Sequence, residues 1–215
     1  MSGAHPEILV VDDHVLVSSA IAMALGARGL TAHAISPDEL AGRMDTPAPP
    51  GGLVLLDLDL GGGLDGVGLV PRLRRVGWRL LVVTGSTDEV RIASAVAAGA
   101  LGWIPKTAPF DELVDTAVRA AEGRSLMGGP ERERLARLAE EAARESEARR
   151  ERWRRLTPRE QEIVGHIAAG RRPAAIAAEC VVSVATVRTQ VRSILAKLEV
   201  GSQLEIAALA RDLQR

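Results

Sequence analysis

Two hundred and fifteen residues contain one cysteine, one phenylalanine, three tryptophans and no tyrosine. A lone Cys180 excludes an intramolecular disulfide, which fits a reducing compartment; with no Cys or His neighbour at metal-ligand spacing, it reads as a small core residue. No apolar run approaches the ~18 to 20 residues that cross a bilayer. The opening MSGAHPE lacks the basic segment and apolar stretch of a leader. The expected location is therefore the cytoplasm, with no membrane partner. Strong compositional bias is also missing: 47% hydrophobic and 26% charged residues exclude a disordered or fibrous chain. The length suits two small cores better than one.

Charge of one sign is nearly absent overall, at −1, but it is unevenly spread. Residues 1–130 carry 10 basic and 15 acidic side chains, residues 131–155 carry 9 and 7, and residues 156–215 carry 8 and 6. An acidic first part and a mildly basic last part are compatible with nucleic acid at the C-terminal end.

From residue 7 to 122, short aliphatic runs alternate with amphipathic helical patterns. The spacing predicts strands at 7–11, 30–35, 53–57, 79–83 and 101–104, and helices at 14–27, 37–43, 66–76, 88–98 and 109–122. Strands alternating with helices imply parallel crossovers, hence a doubly wound α/β unit with a five-stranded parallel sheet. TPAPPGG (46–52) and GGGLDG (61–66) are loops, and the second lacks the spacing of a dinucleotide-binding fingerprint.

In a parallel open sheet, chemistry gathers at the carboxyl ends of the strands. There the first strand delivers Asp12 and Asp13, the third Asp57, the fourth Thr84, and Lys106 follows the fifth. Three converging carboxylates call for a cation, and all-oxygen ligation with room for phosphoryl oxygens is what Mg²⁺ prefers. With the metal and Lys106 neutralising charge, Asp57 becomes the nucleophile that takes a phosphoryl group, and the Thr84 hydroxyl donates to it.

After GGP (128–130), 16 of the 25 residues in 131–155 are charged and none is Pro or Gly, which predicts a long helix. Leu135, Leu138 and Ala142 lie at coiled-coil spacing, so the helix is either a solvated connector or a short dimerising seam. Thr157-Pro158-Arg159-Glu160 forms a capping box opening a helix to about residue 169. A short helix from Pro173, a turn at CVV, a helix capped by Ser183 and a fourth from Gln203 to Leu213 complete an all-α helix-turn-helix unit.

These motifs together resemble NarL/FixJ-type two-component response regulators. VVDDH (10–14), LVLLDLDLGG (53–62), VVTGS (82–86) and GWIPK (102–106) are similar to a flavodoxin-like receiver domain; LTPREQEIV (156–164) and TVRTQVRSILAKL (186–198) are similar to a LuxR-type helix-turn-helix. The division expected is 1–128 receiver, 129–154 helical linker and 155–215 DNA-binding domain. The resemblance implies that a histidine kinase phosphorylates Asp57. It also implies that Asp13 and Asp57, with Asp12 and the Asp59 backbone carbonyl, ligate Mg²⁺, and that Thr84 and Lys106 read the phosphoryl group. Trp103 takes the position of a switching Tyr or Phe.

The partners implied are the kinase, double-stranded DNA, RNA polymerase and a second copy of the chain. Such a protein is not a turnover enzyme, beyond phosphorylating and dephosphorylating itself. On the third effector helix, Val187, Val191 and Ile194 turn to the core and Arg188, Thr189 and Arg192 face outward to read bases, while Lys197, Arg171 and Arg172 suit backbone phosphates. Arg171-Arg172-Pro173-Ala174-Ala175 and Gln190 depart from the family's usual residues.

Two rivals carry less. DLDLGG (57–62) resembles the Asp-x-Asp element of aspartate-nucleophile phosphatases, but those place it on their first strand and not on a third. A receiver used only for dimerisation or ligand sensing would not need the full pocket.

Overall fold

Aliphatic runs without alternation end up buried on both faces of a sheet. In the computed structural model, which describes residues 6–213, β1 (Glu7–Val11), β3 (Leu53–Leu56) and β4 (Arg79–Thr84) are almost wholly buried, while β2 (Thr31–Ile35) is mostly exposed. With β5 (Gly102–Pro105) they make one parallel sheet in the order β2-β1-β3-β4-β5. Val11 pairs with Leu56, Leu56 with Val82, and Thr84 with Pro105.

The crossovers are α1 (Val15–Ala27), α2 (Pro37–Ala41), α3 (Gly66–Arg75) and α4 (Glu89–Ala97), and α5 (Phe110–Ala121) follows β5. One aliphatic cluster packs Val54, Leu56 and Val82 against Leu69 and Ile92; the other packs Val10, Leu55 and Leu81 against Ile21, Leu25 and Leu113. Helices thus cover both faces, the doubly wound arrangement expected. The strand order reverses between β1 and β3, which opens a crevice at their carboxyl ends.

The third strand stops at Leu56, one residue short of expectation, yet the Asp57 amide still donates to the Val11 carbonyl at 3.0 Å. Asp57 therefore leaves the sheet at its first loop position while remaining tied to β1.

Two compact units divide between Glu141 and Ala142, inside the long helix α6 (Gly129–Arg154). In the first unit, Leu135 and Ala139 of α6 are buried against Ala93 and Val96 of α4, with Trp103 and Met127 at the margin. Arg134 pairs with Glu89 at 3.1 Å, and Arg132 donates to the Leu101 carbonyl at 2.8 Å. Leu135 and Ala139 in the opening turns of α6 are thus covered by α4, while Arg132, Glu133, Arg137 and Glu140 remain exposed.

The second unit contains α7 (Pro158–Ala168), α8 (Pro173–Glu179), α9 (Val184–Leu198) and α10 (Gln203–Leu213) around a core of Ile163, Ile167, Ile176, Val187, Ile194 and Ile206. Both members of the Thr157–Glu160 capping box are formed, and Ser183 accepts from the Thr186 amide. Among the described residues no single helix is long and apolar enough to cross a membrane; α8 and α9 pass such a test only as a pair bent by 108°, and their apolar faces fill this core. Residues 1–5, on which the expectation of a missing leader partly rests, lie outside the described residues, as do 214–215.

Candidate functional site

The crevice at the ends of β1 and β3 gathers the expected polar residues. Asp12 and Asp57 each expose only 3% of the side chain, and Lys106 reaches both, its Nζ lying 2.6 Å from Asp12 Oδ2 and 2.7 Å from Asp57 Oδ2. The Lys106 amide donates to the Thr84 carbonyl at 2.8 Å, so β4 places the lysine's backbone. Burial would push the ammonium pKa down, but the hydrogen bonds and charges of Asp12 and Asp57 outweigh it and raise the pKa. Lys106 is held as a cation.

The other carboxylate oxygen, Asp57 Oδ1, is buried and has no hydrogen-bond partner among the described residues. An unsatisfied buried acceptor costs ~1 to 3 kcal/mol, and an ionised one more, so such an atom marks a place built for a ligand. Asp12, Asp13 and Asp57 less Lys106 leave a formal excess of negative charge, and all the offered carboxylate atoms are oxygen. The donor set fits a hard divalent cation such as Mg²⁺.

His14 belongs to the same group, although no sequence argument singled it out. Its Nδ1 is 2.6 Å from Asp13 Oδ1 and 3.2 Å from Asp12 Oδ1, and ligand atoms of Asp12, Asp13 and His14 lie within 4.8 Å of one another. The hydrogen bond and charge of Asp13, then Asp12, raise the imidazole pKa. The signal that could have found it was adjacency to the Asp pair. Thr84 is fully buried; its Oγ1 accepts from the Ser86 amide at 3.1 Å, which leaves the hydroxyl proton to donate.

Asp59 is placed differently from the acidic group. It bridges in antiparallel fashion to Asp65, and its side chain pairs with Arg91 at 2.7 Å. Arg91, also absent from the sequence reading, reaches Asp65 Oδ1 at 2.8 Å and the Leu58 carbonyl at 2.7 Å. The loop after Asp57 is thereby tied to α4. Trp103 is half-buried and packs against both the α4 side of the sheet core and the cluster that holds Leu135.

In the second unit, Val187, Val191 and Ile194 are buried, and Arg188, Thr189 and Arg192 are exposed on the opposite side of α9. The Thr189 hydroxyl donates back to the Ala185 carbonyl at 3.1 Å, so it meets a ligand as an acceptor. Arg171 pairs with Glu179, and Lys197 with the buried Glu160 at 2.6 Å. Ser193 also donates to Glu160 at 2.8 Å. Burial alone would raise the Glu160 pKa, but Lys197, the Thr157 backbone, Ser193 and the Thr157 hydroxyl together hold it down to about 2. Two cations expected on phosphates thus have structural partners. Arg172, Arg188 and Arg192 form no ion pair among the described residues.

Comparison with known proteins gives two family matches. Residues 8–118 match the response regulator receiver domain, and residues 154–210 match the bacterial regulatory proteins of the luxR family. The nitrate/nitrite response regulator protein NarL of Escherichia coli (strain K12) is 30% identical over 217 residues, 96% of each chain. The transcriptional regulatory protein LiaR of Bacillus subtilis (strain 168) is 29% identical over 211 residues, 94% of this chain and 95% of the relative. Among solved structures, the response regulator ChrA of a heme-sensing two-component system is similar at 27% identity and a TM-score of 0.47, with 98% of this chain and 99% of that one covered.

Proposed function

Because the chain belongs to the response regulator family, with a receiver domain followed by a LuxR-family DNA-binding domain, we propose that phosphoryl transfer to Asp57 from a histidine kinase switches it into a dimeric, DNA-binding regulator of transcription. The proposed division is residues 1–128 for the receiver, 129–154 for the linker and 155–215 for the DNA-binding domain. Its relatives are regulators of transcription and not enzymes in the usual sense.

The observation that carries the reading is the pair of environments on Asp57: one oxygen on Lys106, the other buried without a partner among the described residues. Asp12, Asp13, Asp57 and the Asp59 carbonyl would hold Mg²⁺, which supplies charge neutralisation when bound. One Asp57 oxygen attacks the phosphorus of the donor, the P–N bond of the phosphohistidine breaks, and the departing imidazole takes the electron pair and a proton. Lys106 compensates the charge gained at the new acyl phosphate, and the Thr84 hydroxyl donates to a phosphoryl oxygen.

The signal leaves through α4. Arg91 connects α4 to the loop after Asp57, and Ala93 and Val96 on the same helix support Leu135 of α6. A shift of α4 that also moves Trp103 therefore alters the support under α6. With Leu135 already covered, a second copy is met by the first unit's other side. There Leu16 and Met23, seven residues apart on α1, are 86% and 74% exposed, and Phe110 at the start of α5 is 47% exposed. Arg188, Thr189 and Arg192 then enter two half-sites about one helical turn apart, with RNA polymerase as a further partner.

Incubation with acetyl phosphate and Mg²⁺ tests the reading by intact mass. The wild type should gain the ~80 Da of one phosphoryl group, and Asp57→Asn should gain none. Labelling of Asp57→Asn at the wild-type rate overturns the assignment.

A further inference from the structure

Outside the acidic crevice, one group of metal-ligating side chains converges among the described residues with no role in phosphorylation or DNA binding. Glu162 and His166 lie one turn apart on α7, and Cys180 closes α8 at the turn that leads into α9. One ligand atom from each of the three lies within 4.8 Å of the other two. Cys180, the chain's single cysteine, shows no His or Cys nearby in sequence; the fold of α7 against α8 supplies one of each ligand type.

We propose that Glu162, His166 and Cys180 form a binding site for Zn²⁺ or a metal of similar preference, pinning the turn of the helix-turn-helix to α7. Oxygen, imidazole nitrogen and sulfur together are a borderline-soft donor set, which zinc accepts and Mg²⁺ does not. Tetrahedral zinc with bond lengths of ~2.0 to 2.3 Å separates its ligand atoms by about 3.3 to 3.6 Å. Cys180 Sγ already lies 3.9 Å from Glu162 Oε1, so closure needs movements of about 1 Å.

The neighbours divide the work. Arg159 occupies the other oxygen of Glu162, Oε2, and donates to the Cys180 carbonyl, which leaves Oε1 toward the sulfur. Glu179 places a carboxylate oxygen 3.3 Å from His166 Nδ1, the kind of contact that fixes the tautomer of a metal-bound histidine. Once Cys180 ligates as the thiolate, Glu162 and Cys180 balance a divalent ion, so the adjacent guanidinium meets a neutral centre. Water takes the fourth position on the exposed side of Glu162.

The site belongs to the DNA-binding unit and does not depend on phosphorylation. Occupancy would bridge α7 to the residue that ends α8, three positions before the Ser183 cap of α9. Zinc availability would then control how firmly the recognition helix is placed.

The test uses full-length, reduced, unphosphorylated protein titrated with Co²⁺ in excess Mg²⁺, which competes with cobalt for the acidic crevice. Wild-type protein should develop a cysteinate-to-cobalt charge-transfer absorption that saturates at one equivalent and is displaced by Zn²⁺. With one cysteine in the chain, that band can only report Cys180. Cys180→Ala should abolish it, and His166→Ala or Glu162→Gln should weaken binding tenfold or more. Zn²⁺ should raise the unfolding midpoint of the wild type and leave that of Cys180→Ala unmoved. Should Cys180→Ala fail to fold, zinc protection of wild-type Cys180 from a thiol reagent decides instead. Folded wild type that shows no band, or that binds cobalt without one, overturns the proposal.

Discussion

The carbonyl oxygen of Asp57 stands far inside contact distance of the point a β-carbon on Gly66 would take, and Leu58 Cα is only 2.8 Å from that point. Gly66 opens α3, and its amide donates to the Leu58 carbonyl at 3.0 Å. The first turn of α3 therefore rests directly on the backbone of the acceptor residue, an approach that only glycine permits. From the other side the Val11 carbonyl receives the Asp57 amide. Backbone contacts on two sides set where the Asp57 carboxylate stands.

Gly66→Ala should thus disturb the site without touching any polar group in it. The added methyl is expected to cost ~1 to 3 kcal/mol of stability through overpacking. Displacement of Asp57 should slow phosphorylation by acetyl phosphate about tenfold or more. Denaturant unfolding and the rate of mass gain measure the two effects; a wild-type rate in the variant would show that the contact relaxes harmlessly.

Leu135→Glu should free the first half of α6 from α4. Burial of a leucine contributes ~1.5 to 3 kcal/mol, and a carboxylate cannot take its place unpaired. Amide hydrogen exchange in residues 129–141 is expected to accelerate while the β-sheet stays protected. Phosphorylation should proceed, but DNA affinity should no longer respond to it. Slow exchange throughout α6 in the variant would refute the docking.

Glu160 makes the second unit sensitive to acid. Its pKa is about 2 when folded against an ordinary value of 4.5, so the stability it adds is complete above about pH 5 and fades as the pH falls toward 2. The difference corresponds to about 3 kcal/mol. Wild type should exceed Glu160→Gln in urea resistance at pH 7, with the gap closing as the pH is lowered to about 2 to 3. A gap independent of pH would assign the effect to packing.

The basic residues of the second unit should separate by partner. Arg188→Ala or Arg192→Ala is expected to cost ~1 to 3 kcal/mol on a selected operator and to blunt discrimination. Arg172→Ala should weaken all sequences alike and reduce the salt slope by about 1. Lys197→Ala differs in kind, because it abandons Glu160 and should lower the thermal midpoint. Binding isotherms at several salt concentrations, together with melting curves, distinguish the three classes.

Local patterns made much of this protein legible. The alternation of aliphatic runs and helical periods led to five parallel strands with helices on both faces. Thr157, Pro158 and Glu160 announced the start of α7, and Ser183 that of α9, because a cap acts within one turn of its own residue. Asp12, Asp57, Thr84 and Lys106 were found together because strand ends in a parallel sheet must share one edge.

Other features needed the tertiary structure, since they depend on how distant elements pack. Arg91 is an ordinary helix arginine until α4 is laid beside the loop after Asp57. Leu135 belongs to a seam-like pattern until α4 covers it, and Lys197 looks like a phosphate contact until α7 brings Glu160 to it. Cys180 is a core residue as its sequence suggests, but only the packing of α7 on α8 brings His166 and Glu162 to it. The sequence by itself determined which residues begin, end and line each element, because propensity, capping and periodicity operate over a few residues. Which side chains meet between elements was decided by the packing of finished helices and strands, where a crossing distance of an ångström separates a contact from none.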